Sequence, residues 1–160
     1  MPFLTREAIQ MRFKKRIDDI ENGYRQNVGI TGPSGVGKTR LLCDFFQSVS
    51  RNSKLLPIYV KAETIDGRQL MDQWMGAVLS TVLLDRTLNI PRTLNGLLRE
   101  AEAVIPLTAA AVKHLQKLIR QEKNAVAVKE LLMLSGTLAR ETGKKVILMI
   151  DEFQALEKLP

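Results

Sequence analysis

Apolar residues along this chain follow two different periods, and the change of period marks its elements. Two short runs are continuous rather than striped: KLLPIYVKA at 54–62 and VILMI at 146–150. Runs of that length, rich in β-branched residues, predict strands. VILMI has no polar alternation, which predicts a strand buried on both faces of a parallel sheet; with the acids that follow, it spans 146–152. Pro57 lacks a backbone donor and predicts an edge or near-edge place for the first run. A third, shorter run, Val28 to Ile30, leads into a glycine-rich stretch and reads as another strand.

Elsewhere the spacing is helical. A first helix is predicted over 6–22, and a second carries Leu41, Leu42, Phe45, Phe46 and Val49. The region 66–142 is helical almost throughout. Leu70, Met71, Trp74, Met75, Val78 and Val82 form one stripe. Pro91 reads as a first-turn proline of the next helix, whose stripe runs from Leu94 to Ile105 until Pro106 breaks it. Thr108 is the expected cap of a further helix, Asn124 the cap of the last, and Gly143 its stop. A βαβ unit takes roughly 30 residues, so the distance from the glycine-rich stretch to VILMI exceeds two crossovers and predicts a helical insertion.

The glycine-rich stretch brings in chemistry. NVGITGPSGVGKTRLL (27–42) contains G-x-x-x-x-G-K-T, from Gly32 to Thr39, between a predicted strand and a predicted helix. That is the setting a phosphate-binding P-loop requires. Gly32, Gly35 and Gly37 let the backbone turn tightly and direct amides inward, with Pro33, Ser34 and Val36 completing the loop. The helix start at Gly37, running on through Arg40, adds its positive dipole end. Lys38 is placed to act on the β- and γ-phosphates, and the Thr39 hydroxyl to ligate Mg²⁺. Asp151 then leaves VILMI at the carboxyl end of the sheet, where ligands of parallel sheets bind, and is placed to hold Mg²⁺ directly or through water. Glu152 follows it and is placed to polarise an attacking water. A nucleoside triphosphate and Mg²⁺ are the implied substrate and cofactor.

Composition narrows the field further. The chain has 160 residues, 45% apolar and 26% charged, one domain's worth of ordinary globular composition. No apolar stretch reaches membrane-spanning length and the N-terminus lacks a secretory pattern, so the expected compartment is cytoplasmic with no membrane partner. Cys43 is the single cysteine, which excludes an intrachain disulfide and a cysteine-held zinc; on its helix it reads as a small core residue. His114, the single histidine, reads as a surface residue. Net charge is +7, of which residues 1–54 hold +5. The densest run, Arg12 to Arg16, is either a solvated helix face or a contact for phosphate-rich partners. With only five Phe, two Tyr and one Trp, a base-stacking surface is poorly supplied.

GPSGVGKT with a distant apolar strand ending in DEFQ resembles the AAA+-type ATPases, and most of all the archaeal-type ATPase group near the replication-initiator and STAND NTPases. FLTRE, Phe3 to Glu7, resembles the F-x-G-R-E box that lies over the adenine there, with Thr5 at the glycine position. The resemblance implies an α/β P-loop NTPase fold, Phe3 to Arg6 in the base pocket, and ATP hydrolysis serving as a switch or motor. It covers 1–160 as the first part of the family domain, before the sensor strand, arginine finger and lid. The sensor strand would lie between the P-loop strand and VILMI, leaving those two separated or paired directly. A DNA-binding loader or transposition or replication regulator is a second reading, and a nucleotide-binding scaffold without catalysis a third. A GTPase is disfavoured because N-K-x-D is missing. Nucleic-acid or protein partners and oligomerisation stay open, being set in that family by later regions.

Overall fold

The computed structural model describes residues 6–25, 27–62, 66–84 and 90–159. Its elements, in chain order, are α1 (Arg6–Glu21), α2 (Lys38–Ser50), β1 (Leu55–Lys61), α3 (Gly67–Leu83), α4 (Leu94–Ala101), α5 (Pro106–Arg120), α6 (Asn124–Thr142), β2 (Lys145–Asp151) and a closing 3-10 helix, Phe153–Lys158. The architecture is α/β. β1 and β2 pair in parallel from Leu55 opposite Lys145 to Lys61 opposite Asp151.

Strand side chains alternate faces, and the alternation divides the core in two. Odd-numbered Leu55, Tyr59, Ile147 and Met149 pack with Val49, Phe45 and Phe46 of α2 and with Ile17 and Ile20 of α1. Even-numbered Leu56, Ile58 and Val60, with Val146, Leu148 and Ile150, join the larger core built by α3 to α6. That core includes Trp74, Met75, Leu79, Leu115, Leu131 and Leu138. Truncating one such large side chain to Ala costs about 2–5 kcal/mol.

β1 is an edge strand of this two-stranded sheet among the described residues, as Pro57 predicts, while β2 departs from expectation. β1, the strand with proline, is buried at five of its seven positions, whereas in β2 only Met149 and Asp151 are buried. VILMI is therefore half-covered rather than enclosed on both faces. Its second edge has no strand beside it among the described residues, so each side chain keeps an open flank. The predicted strand at Val28–Ile30 is also corrected: 27–31 form no strand, and Val28 is exposed. Of the two arrangements expected for that segment and β2, direct pairing is absent.

Helix starts combine local caps with partners that the fold brings in. The Asp66 carboxylate accepts from the Gln69 amide at 2.8 Å, capping α3 as its type favours. α4 starts at Leu94, with the Thr93 hydroxyl accepting from the Gly96 amide at 3.2 Å, so Pro91 precedes the cap instead of opening the helix. Pro106 opens α5 rather than ending the previous helix, because proline at the first helical position sacrifices no hydrogen bond. Thr108 then lies inside the first turn, fully buried, and the cap comes from Glu141 on α6. Asn124 is the first residue of α6, not its side-chain cap; Gly143 does end it, at φ 68°. Cys43 is exposed, contrary to expectation, because α2 turns only its Phe45, Phe46 and Val49 side to the sheet. His114 is exposed, as expected.

Candidate functional site

The glycine-rich loop joins the irregular residues 27–31 to α2. Gly35 and Gly37 hold φ of 77° and 93°, in the region where a side chain is strained. Gly32 is constrained by space instead: a Cβ there would lie 3.2 Å from Val36 Cγ1. Gly37 immediately precedes α2 as its N-cap and has no side chain with which to cap it. The first amides of α2 thus have no intrahelical acceptor and carry the positive end of the helix dipole. Lys38, the first residue of α2, turns back over the loop, donating from Nζ to the Gly32 and Pro33 carbonyls at 3.0 and 2.9 Å. Thr39 and Arg40 are exposed beside it, as are Ser34 and Val36 in the loop.

Asp151 ends β2 and is 4% exposed. Each carboxylate oxygen accepts one protein donor: Oδ2 the Tyr59 hydroxyl at 2.9 Å, and Oδ1 the Glu152 amide at 3.1 Å. Glu152 itself adopts φ 55° and ψ 47°. A left-handed conformation costs a non-glycine residue about 1–2 kcal/mol. It turns the chain out of the sheet and into the 3-10 helix. The Glu152 carboxylate, half-exposed, accepts a hydrogen bond from the Gln154 side-chain amide.

The path of α2 relates the loop to these acids. Residues 51–54 connect it to β1, and Phe46 meets Tyr59 edge to face at 6.2 Å between ring centroids. α2 therefore runs antiparallel to the strands over the face that carries Tyr59 and Asp151. From Phe46 back to Lys38 the helix climbs about 12 Å at about 1.5 Å per residue. From Tyr59 to the end of β1 is only about 7 Å. The helix start, with Lys38 and Thr39, accordingly lies just past the carboxyl ends of the strands, at the end where Asp151 and Glu152 emerge. A separate cavity of about 240 Å³, lined by Arg68, Asp72, Asn95, Gln116 and Arg120 among others, opens between α3, α4 and α5. It contains none of the glycine-loop or acidic residues.

A model of the AAA ATPase domain matches residues 2–159. The chain belongs to the AAA ATPase domain family. No curated protein and no solved structure matches it. Membership makes this AAA ATPase domain a nucleotide-binding, ATPase-type module. Among the described residues no helix is long and apolar enough to cross a membrane. Nor do three or more His, Cys, Asp or Glu cluster into a metal cage among them. Mg²⁺ needs no such cage: it keeps several waters and takes one or two protein oxygens with substrate phosphates. The fixed Asp151 carboxylate and the exposed Thr39 hydroxyl are a donor set of that kind. The base-pocket candidates Phe3 to Thr5 lie outside the described residues, and Arg6 is described only as the start of α1. Tyr59 was not singled out from sequence; its one signal is a hydroxyl at the α2-facing parity within the apolar run 55–60.

Proposed function

We propose that this AAA ATPase domain binds ATP and hydrolyses it in a Mg²⁺-dependent reaction, working as a nucleotide-dependent switch or motor module. The reading is supported by the start of α2 behind its glycine loop, on the helix that packs over the strand face ending in Asp151. In this reading the amides of Gly32 to Arg40 line the triphosphate, and Lys38 exchanges its own loop carbonyls for β- and γ-phosphate oxygens. Thr39 and Asp151 hold the Mg²⁺, which when bound neutralises charge on the phosphates. Glu152 accepts the proton of a water whose oxygen attacks the γ-phosphorus, while the bond to the ADP oxygen breaks. Within the family we place the chain beside the archaeal-type ATPases, on GPSGVGKT, DEFQ and FLTRE.

Isothermal titration with ATP–Mg²⁺ tests binding. Lys38→Ala removes a charged donor and should weaken affinity by at least about tenfold; undiminished binding would refute the assignment. Glu152→Gln should keep affinity and lower turnover about 10²- to 10⁴-fold. Unchanged turnover would remove Glu152 from the mechanism.

A second reading, an ATP-dependent DNA-binding loader or regulator, draws on α1. Phe13 is buried and stacks on Phe45 at 4.4 Å, which turns Arg12, Lys14, Lys15 and Arg16 outward. Duplex affinity in the presence of ATP should then fall steeply with salt; affinity that is absent, or flat with salt, counts against it.

A further inference from the structure

We infer that Tyr59 is a positioning residue for the Asp151 carboxylate, setting how that side chain receives the magnesium of bound ATP. The inference rests on the reading of Asp151 as a Mg²⁺ ligand. Tyr59 stands opposite Met149 in the parallel register, so Asp151 is two residues further along β2 and on the same face. The tyrosine ring reaches forward along the sheet and donates to Oδ2 at 2.9 Å. The Glu152 amide holds Oδ1 at 3.1 Å. An ionised carboxylate has about four acceptor sites, so one donor on each oxygen fixes the plane of the group and leaves acceptor capacity on both.

The other face of this arrangement is mechanical. The Tyr59 ring packs edge-on against Phe46 of α2, the helix that begins at the glycine loop. The phenol therefore orients the acid relative to the element that carries Lys38 and Thr39. Burial makes the contact consequential: Asp151 is 4% exposed, so water cannot readily replace the lost donor. Partners that orient a metal ligand typically alter metal affinity by about 10- to 100-fold when removed.

The test uses Tyr59→Phe, which keeps the ring against Phe46 and deletes only the hydroxyl. Nucleotide affinity is measured by titration calorimetry in EDTA and across a Mg²⁺ series, for wild type, Tyr59→Phe, Asp151→Asn and the double variant. Tyr59→Phe should leave Mg²⁺-free ATP affinity unchanged and raise the half-saturating Mg²⁺ about tenfold. The double variant should need no more Mg²⁺ than Asp151→Asn, since in this proposal the phenol sets Mg²⁺ affinity through that carboxylate. An unchanged Mg²⁺ requirement in Tyr59→Phe, with a raised one in Asp151→Asn, overturns the role of Tyr59 and leaves the site intact. Fully additive losses overturn it as well. An unchanged requirement in Asp151→Asn overturns the reading of the site itself.

Discussion

Glu141 offers the sharpest stability test in this fold. Its carboxylate, on the last turns of α6, accepts from the Leu107 amide at 2.7 Å, the Thr108 amide at 2.8 Å and the Thr108 hydroxyl at 2.6 Å. It thus caps α5 from a neighbouring helix. In Glu141→Ala the three donors fare differently. Leu107 is 64% exposed and its amide can find water, while Thr108 is 0% exposed and cannot. Two buried donors without acceptors cost about 1–3 kcal/mol each, so the loss should be about 3 kcal/mol. That is a large share of the about 5–15 kcal/mol typical of a domain. For a chain of this size it corresponds to a drop in Tm of about 6–12 °C. Urea unfolding, followed by circular dichroism and Trp74 fluorescence, measures it. Glu141→Gln, which keeps one oxygen acceptor, should lose about 1 kcal/mol. Adding Thr108→Val to Glu141→Ala should recover part of the loss, because the orphaned hydroxyl is gone. A Glu141→Ala loss under about 1 kcal/mol, or strictly additive losses in the double variant, would refute the tertiary cap.

Two further outcomes follow from the same kind of reasoning. Burial raises the Asp72 carboxyl above its ordinary 3.8, opposed by Arg68 and assisted by Asp66. The folded chain then holds this proton to higher pH than the unfolded one, so stability is lost as pH rises from 3.8 through the folded value. Asp72→Asn should out-melt wild type at pH 7 and lose that advantage at pH 3; the same advantage at both would contradict the sign. Lys145 donates from Nζ to the Ile20 and Glu21 carbonyls at 2.8 and 2.6 Å, tying the end of α1 to the start of β2. Lys145→Met should speed amide exchange in the last turn of α1 and lower global stability by only about 1 kcal/mol or less. Unaltered exchange there would mean that Phe13, Ile17 and Ile20, with the Asn52–Glu21 hydrogen bond, suffice to seat the helix.

The parts of this protein readable from its residue order are those whose physics is local. GPSGVGKT dictates a tight glycine turn running into a helix start, because three glycines and the lysine act on a backbone only eight residues long. The apolar runs and stripes likewise reveal the two strands, the helices at 6–21 and 38–50, and the helical region between the strands. What periodicity reports is which side of an element is apolar, never what it meets. So the pairing of β1 with β2, the half-open state of VILMI, the exposure of Cys43 and the unpaired state of 27–31 had to come from three-dimensional packing. Helix caps divide the same way: Asp66 and Thr93 satisfy amides three residues on, whereas Thr108 waits for a glutamate 33 positions away. The donor on Asp151 is more distant still, a tyrosine 92 residues upstream. A buried polar group takes whichever partner the folded chain brings within 3 Å, and that proximity has no signature along the sequence.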